Sequence, residues 1–303
     1  MNMKAHFLTI GLVLLASSCG GGAEEHGDQQ ATERLVISDD GGADAVSLYQ
    51  MPTPNELFSI VREMAGEGQK RMMNPANNAD RFVSLAGRAC NFGIYATDLV
   101  YASYFKLNVE VVRYYLTVKK LGDELGLAAV FTDQDFARLE SNLSHGDSLE
   151  VISNEAYYRA YEKMQDERMG PTLGLVLVGG WVESMHLVMR QITMFDPDDP
   201  LVARVAEQKV SLEHLLDMLR QYKDDPNVGP VRKELVDIRN IYDQLQERRT
   251  SHVGTSSSGR MVLGDDVSVR MTSDQYDELE KKIEALREEL IRPEDVVKVK
   301  TNA

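Results

Sequence analysis

Thr172-Leu173-Gly174-Leu175-Val176-Leu177-Val178-Gly179-Gly180-Trp181-Val182-Glu183-Ser184-Met185-His186-Leu187-Val188-Met189-Arg190-Gln191-Ile192-Thr193-Met194 is the most apolar stretch beyond residue 18. It reads as one helix, set off from its predecessor by Met169-Gly170-Pro171. Upstream, apolar residues recur at helical spacing from about Asn78 to Leu107, with Phe82, Leu85, Ala89, Phe92, Ala96, Leu99 and Tyr101 on the inner side. Both helices are rich in small residues: Ala86, Gly87, Ala89, Gly93 and Ala96 in one, Gly174, Gly179 and Gly180 in the other. Glycine inside a helix costs up to about 1 kcal/mol relative to alanine, and close helix contact is the expected compensation. The two helices are therefore expected to pair at the centre of a bundle, with space for a ligand as the alternative use of the glycines.

The same periodicity places further helices around this pair. Thr53-Pro54-Asn55-Glu56 has the cap, proline and acid that start a helix. Asn108 is expected to cap a helix running to Leu125, stopped by Gly126; Thr132 opens a short helix, and Asp147 opens one running through Met164. Asp199-Pro200 caps a helix to Tyr222, and Asp225 to Pro230 separates it from Val231 to Leu245. Ser273 is expected to cap a last helix with Tyr276, Leu279, Ile283, Leu286 and Leu290 on one face and its charges on the others, docked on the bundle. No strand pattern of any length alternates, so the expected fold is an all-α bundle of about seven to eight helices. Before the last helix, Met261-Val262-Leu263 and Val267-Ser268-Val269 flank Gly264-Asp265-Asp266, which suits a short hairpin turning there or a loop.

The chain opens on a different kind of segment. Lys4, the apolar run Phe7 to Ala16 and the small pair Ser17-Ser18 form an export signal, whose core is too short to span a membrane. Leu15-Ala16-Ser17-Ser18-Cys19 resembles a lipobox, so Cys19 is expected to carry a diacylglyceryl anchor. Gly20 to Asp44 is glycine-rich, acidic and poor in apolar residues, the composition of a flexible tether. Gly20 is not the aspartate of the best-known inner-membrane retention signal, which favours the outer membrane. The expected organisation is signal peptide 1–18, tether 19–50, helical bundle 51–248, linker or hairpin 249–272, C-terminal helix 273–292 and tail 293–303. Without residues 1–18 the chain keeps 32 basic and 48 acidic side chains, a net charge of about −16. Such an acidic chain is a poor partner for nucleic acid or an anionic membrane surface. Cys19 and Cys90 are the two cysteines, and lipidation of the first leaves no internal disulfide. Cys90 reads as a small buried hydrophobe.

Glu183 and His186 lie three residues apart on one helix face, the ligand pair of di-iron bundles, but no other histidine has a glutamate three residues before it. No metal and no cofactor is therefore assigned. Glu183 sits among Trp181, Val182, Leu187 and Val188, and Asp98 lies in the similarly apolar Tyr95-Ala96-Thr97-Asp98-Leu99-Val100-Tyr101. Unpaired carboxylates there would be costly. Arg88 is about 15 Å from Asp98 along the helix, too far to pair with it. A buried polar cluster of Asp98, Glu183 and His186 is the candidate site. Eight of the twelve tyrosines fall between Tyr95 and Tyr161; they suit the edge of a helical core, or else a groove in which Tyr95 and Tyr101 would contact a ligand.

Asn91-Phe92-Gly93-Ile94-Tyr95-Ala96-Thr97-Asp98-Leu99, Lys120-Leu121-Gly122-Asp123-Glu124-Leu125-Gly126 and Gly179-Gly180-Trp181-Val182-Glu183-Ser184 resemble a family of helical lipoproteins of the phylum Bacteroidota. The resemblance implies an envelope location and an α-helical fold, and implies no activity. Two readings of function follow. The first is an envelope lipoprotein whose helical domain binds a partner protein or a small ligand; the second is a metal-dependent or acid/base enzyme using Asp98, Glu183 and His186.

Overall fold

Ser84 sets the start of the first described helix, because its Oγ accepts the Gly87 amide and its backbone is extended. The structure, a computed structural model, describes residues 68–142, 146–255 and 261–294. The signal, the tether and the helix expected after Thr53 lie outside these residues, as does most of the C-terminal tail. The helices are α1 (Leu85–Tyr104), α2 (Asn108–Glu124), α3 (Asp133–Ser141), α4 (Gly146–Asp166), α5 (Gly170–Met189), α6 (Pro200–Leu219), α7 (Val228–Tyr242) and α8 (Ser273–Leu290). An antiparallel pair, β1 (Gln246–Thr255) and β2 (Met261–Arg270), precedes α8. The all-α bundle expected from the sequence is the fold observed.

Helices α1 and α5 form the centre. From Ala89 to Tyr104 and from Thr172 to Met189 every residue is buried, whichever way it faces. That explains why α5 is apolar and long enough to pass for a membrane span while lying wholly inside the protein. The small residues let the two backbones meet. A Cβ on Gly179 would fall on the Cys90 carbonyl, and one on Gly93 would fall on the Val176 carbonyl. The space at these two glycines is filled by backbone, so it holds no ligand. Gly174 instead accommodates Leu219 of α6. Helices α2 and α4 cover α1, α6 and α8 cover α5, and α7 packs on both α6 and α8.

Four local readings are corrected. Residues 76–81 form a 3-10 segment and α1 begins at Leu85 rather than near Asn78, because the Glu294 carboxylate accepts the Val83 and Ser84 amides at 2.8 and 2.7 Å and holds the chain extended there. Asn108 does not cap α2, which starts without a side-chain cap, and Thr272 rather than Ser273 caps α8 through a reciprocal box with Gln275. Gly264, Asp265 and Asp266 do not turn the hairpin. They pair with His252, Ser251 and Thr250 inside a ten-residue strand. Gly126, at φ +86, does end α2 as its sequence requires.

Candidate functional site

Asp98 projects from α1, while Glu183 and His186 project from one face of α5, and α8 closes over them with Arg287 and Glu284. The Arg287 guanidinium grips Glu183 with both arms, Nε to Oε2 at 2.6 Å and Nη2 to Oε1 at 2.8 Å. Two parallel charge-assisted bonds of this kind fix both side chains in one plane. Nη2 also donates to the Met72 carbonyl at 3.3 Å, and His186 Nε2 donates to the same oxygen at 3.0 Å. His186 Nδ1 lies 2.7 Å from Glu284 Oε1, which Arg190 Nε approaches to 3.2 Å. Burial would raise the pKa of Glu284, but its hydrogen bond to His186 and the charges of His186 and Arg190 hold it below the usual carboxylate range.

Asp98 is wholly buried. Its Oδ2 accepts the Asn74 amide at 3.0 Å, while Oδ1 has no N–H or O–H donor. Burial, and next to it the charge of Glu183, push the Asp98 carboxyl well above its ordinary range; Arg287 offsets part of this. The raised pKa favours the protonated acid, whose O–H would give the unpartnered Oδ1 side of the carboxyl a use beside the Glu183 carboxylate.

The structure thus brings Asp98, Glu183 and His186 into one cluster, joined through Arg287 and the Met72 carbonyl. Glu183 and His186 direct their polar atoms to different partners, and the guanidinium lies against the carboxylate that a metal would need. Among the described residues no group of three or more His, Cys, Asp or Glu side chains could hold a metal ion.

Tyr95 and Tyr101 are buried in the core, and their hydroxyls meet the chain itself. Tyr95 donates to the Pro75 carbonyl at 3.0 Å, and Tyr101 accepts the Gln69 amide at 2.9 Å. Burial raises both phenols, followed by the charge of Asp98 in the case of Tyr95. Tyr114 completes the set by donating to the Asn74 carbonyl at 2.7 Å. Cys90 is buried against α5, and burial pushes its thiol up to about 12, so it remains an unreactive thiol.

The chain matches no family model, and no curated protein or solved structure matches it. What the site can do must therefore be read from its own geometry. The sequence reading missed Arg287, Glu284, Asn74 and Tyr114. Arg287 carried a signal: it lies four residues after Ile283, on the stripe assigned to the apolar face, and so is the charge that α8 buries.

Asp98→Asn tests the retained proton. The Asn carbonyl can accept the Asn74 amide, and its NH2 mimics the neutral, protonated form of the acid beside Glu183. Because the folded-state pKa of Asp98 is raised, its stabilising contribution is complete below the unfolded value near 3.9 and is lost as pH rises towards the folded value. The variant does not titrate, so relative to wild type it should gain up to about 1.4 kcal/mol per pH unit over that window. Urea unfolding at pH 5 and pH 8 should show the variant at least as stable as wild type at pH 8. A constant deficit at both pH values would show that Asp98 is not the proton carrier.

Proposed function

We propose that the protein is a bacterial cell-envelope lipoprotein, anchored in the outer membrane through a diacylglyceryl group on Cys19, whose helical domain binds polypeptide without catalysis. The observation that carries the binding half is the use to which the buried polar groups are put. Asp98, His186 and Arg287 all bond the backbone of residues 72–74, and the tyrosines around them bond the backbone at Gln69, Asn74 and Pro75. Side chains arranged in this way hold a chain segment by its amides and carbonyls, the chemistry of polypeptide recognition. The anchoring half rests on the lipobox-like Leu15 to Cys19 and the acidic, glycine-rich stretch after it.

An acid/base enzyme would use Asp98, whose carboxyl is pushed well above its ordinary range by burial and by Glu183. Asp98 and Glu183 have no exposed surface, however, and Arg287 already occupies both oxygens of Glu183. Binding is accordingly the reading preferred.

Fractionation of cells expressing wild type and Cys19→Ala tests the anchor. Wild type is expected in the membrane fraction, released by detergent, and the variant in the soluble fraction. Retention of the variant on membranes would remove the lipoprotein half of the proposal.

A further inference from the structure

The segment Gln69 to Pro75 is held almost as a ligand would be. It makes a short 3-10 turn at Lys70–Met72 and then runs extended through Met73. Tyr101 takes the Gln69 amide, His186 and Arg287 share the Met72 carbonyl, Asp98 takes the Asn74 amide, Tyr114 the Asn74 carbonyl and Tyr95 the Pro75 carbonyl. The holding groups come from α1, α2, α5 and α8, and they read backbone. Sequence enters at Met72 and Met73, which are buried, and at Asn74, whose Nδ2 donates to Asn91 Oδ1 at 3.3 Å. The Lys70 side chain, by contrast, is 74% exposed.

Apolar residues of similar volume would serve stability as well as this buried ionic cluster does, or better. Its placement against the backbone of residues 69–75 gives it another use. We infer that Tyr95, Asp98, Tyr101, Tyr114, His186 and Arg287 form a peptide-binding cleft, that residues 69–75 fill it in cis, and that a segment of a partner protein with the same turn-then-extended shape, carrying two adjacent apolar side chains followed by Asn, occupies it when the strap leaves. The inference rests on the polypeptide-binding reading above, and its test does not involve the anchor.

The cis strap competes at high effective concentration, so a free peptide should bind wild type weakly. Asn74→Pro removes the amide that Asp98 accepts and loosens the strap in the full chain. A fluorescently labelled synthetic peptide carrying residues 68–78 should bind this variant saturably and at least about tenfold more tightly than it binds wild type. The same peptide with its own Asn74→Pro change should not bind. Absence of saturable binding to a variant that melts cooperatively with wild-type helicity would overturn the inference. Should the variant fail to fold, hydrogen exchange of wild type decides. Exchange of the Asn74 amide through a local opening, faster than the most protected amides of α1 and α5, supports a cleft that can empty. Exchange only through global unfolding refutes it.

Discussion

Arg287→Met should lower the unfolding free energy by about 4 kcal/mol, the range found when one member of a buried ion pair is removed. The loss has three sources in this site. Glu183, with no exposed surface, is left without the two bonds from Nε and Nη2. The Met72 carbonyl loses one of its two donors. The Asp98 carboxyl is then pushed up further by burial and Glu183, since the Arg287 charge, together with the Asn74 amide, is what offsets them. Arg287→Lys should recover less than half of the loss, because one ammonium cannot span both oxygens of Glu183 and also reach the carbonyl. Denaturant unfolding of the two variants measures this directly. A deficit under about 1 kcal/mol in Arg287→Met would mean that the pair is solvated and adds little to the docking of α8.

Gly179→Ala and Gly180→Ala should move stability in opposite directions although the residues are neighbours. Alanine is favoured over glycine in a helix by about 1 kcal/mol, so propensity alone predicts a gain at both. At Gly180 the added methyl would find Thr97 Oγ1 at 3.5 Å and the Gly93 carbonyl oxygen at 3.8 Å, ordinary contact, and the gain should appear. At Gly179 it would fall on the Cys90 carbonyl. That atom belongs to the backbone of α1 and moves only if the helix moves, so the substitution should cost about 3 kcal/mol. Thermal or urea unfolding of both variants reads the sign. A stabilised Gly179→Ala would show that the central helices are not in backbone contact.

The sequence made the helices legible and much of the site illegible, for a physical reason visible in particular residues. A helix announces itself locally, through the apolar spacing of α5 or the glycine that stops α2. The partners of Asp98 and Glu183 are set by the packing of elements far apart in the chain. Arg287 is 104 residues from Glu183, and Asn74 lies 24 residues before Asp98. Local reading could thus say that both carboxylates needed partners without saying where those were. It placed the start of α1 too early because the acid that sets it, Glu294, lies 210 residues from Ser84. The hairpin turn was misplaced for a related reason. Gly264-Asp265-Asp266 has turn composition, yet the register with β1 carries it through as strand. The tyrosines resisted assignment because a core edge and a groove call for the same amphipathic side chain. The structure shows Tyr95, Tyr101 and Tyr114 buried in the core with their hydroxyls on the segment 69–75.

The central claim is that this cluster holds the backbone of that segment rather than merely filling the core. The most direct measurement is amide hydrogen exchange at Gln69 and Asn74 in wild type and Arg287→Met, compared with amides of Phe92 to Tyr95 in α1. The account predicts that exchange at Gln69 and Asn74 accelerates by a larger factor than exchange in α1. Equal acceleration at all of these amides would contradict it, because the cluster would then support the whole fold and the segment no more than the rest.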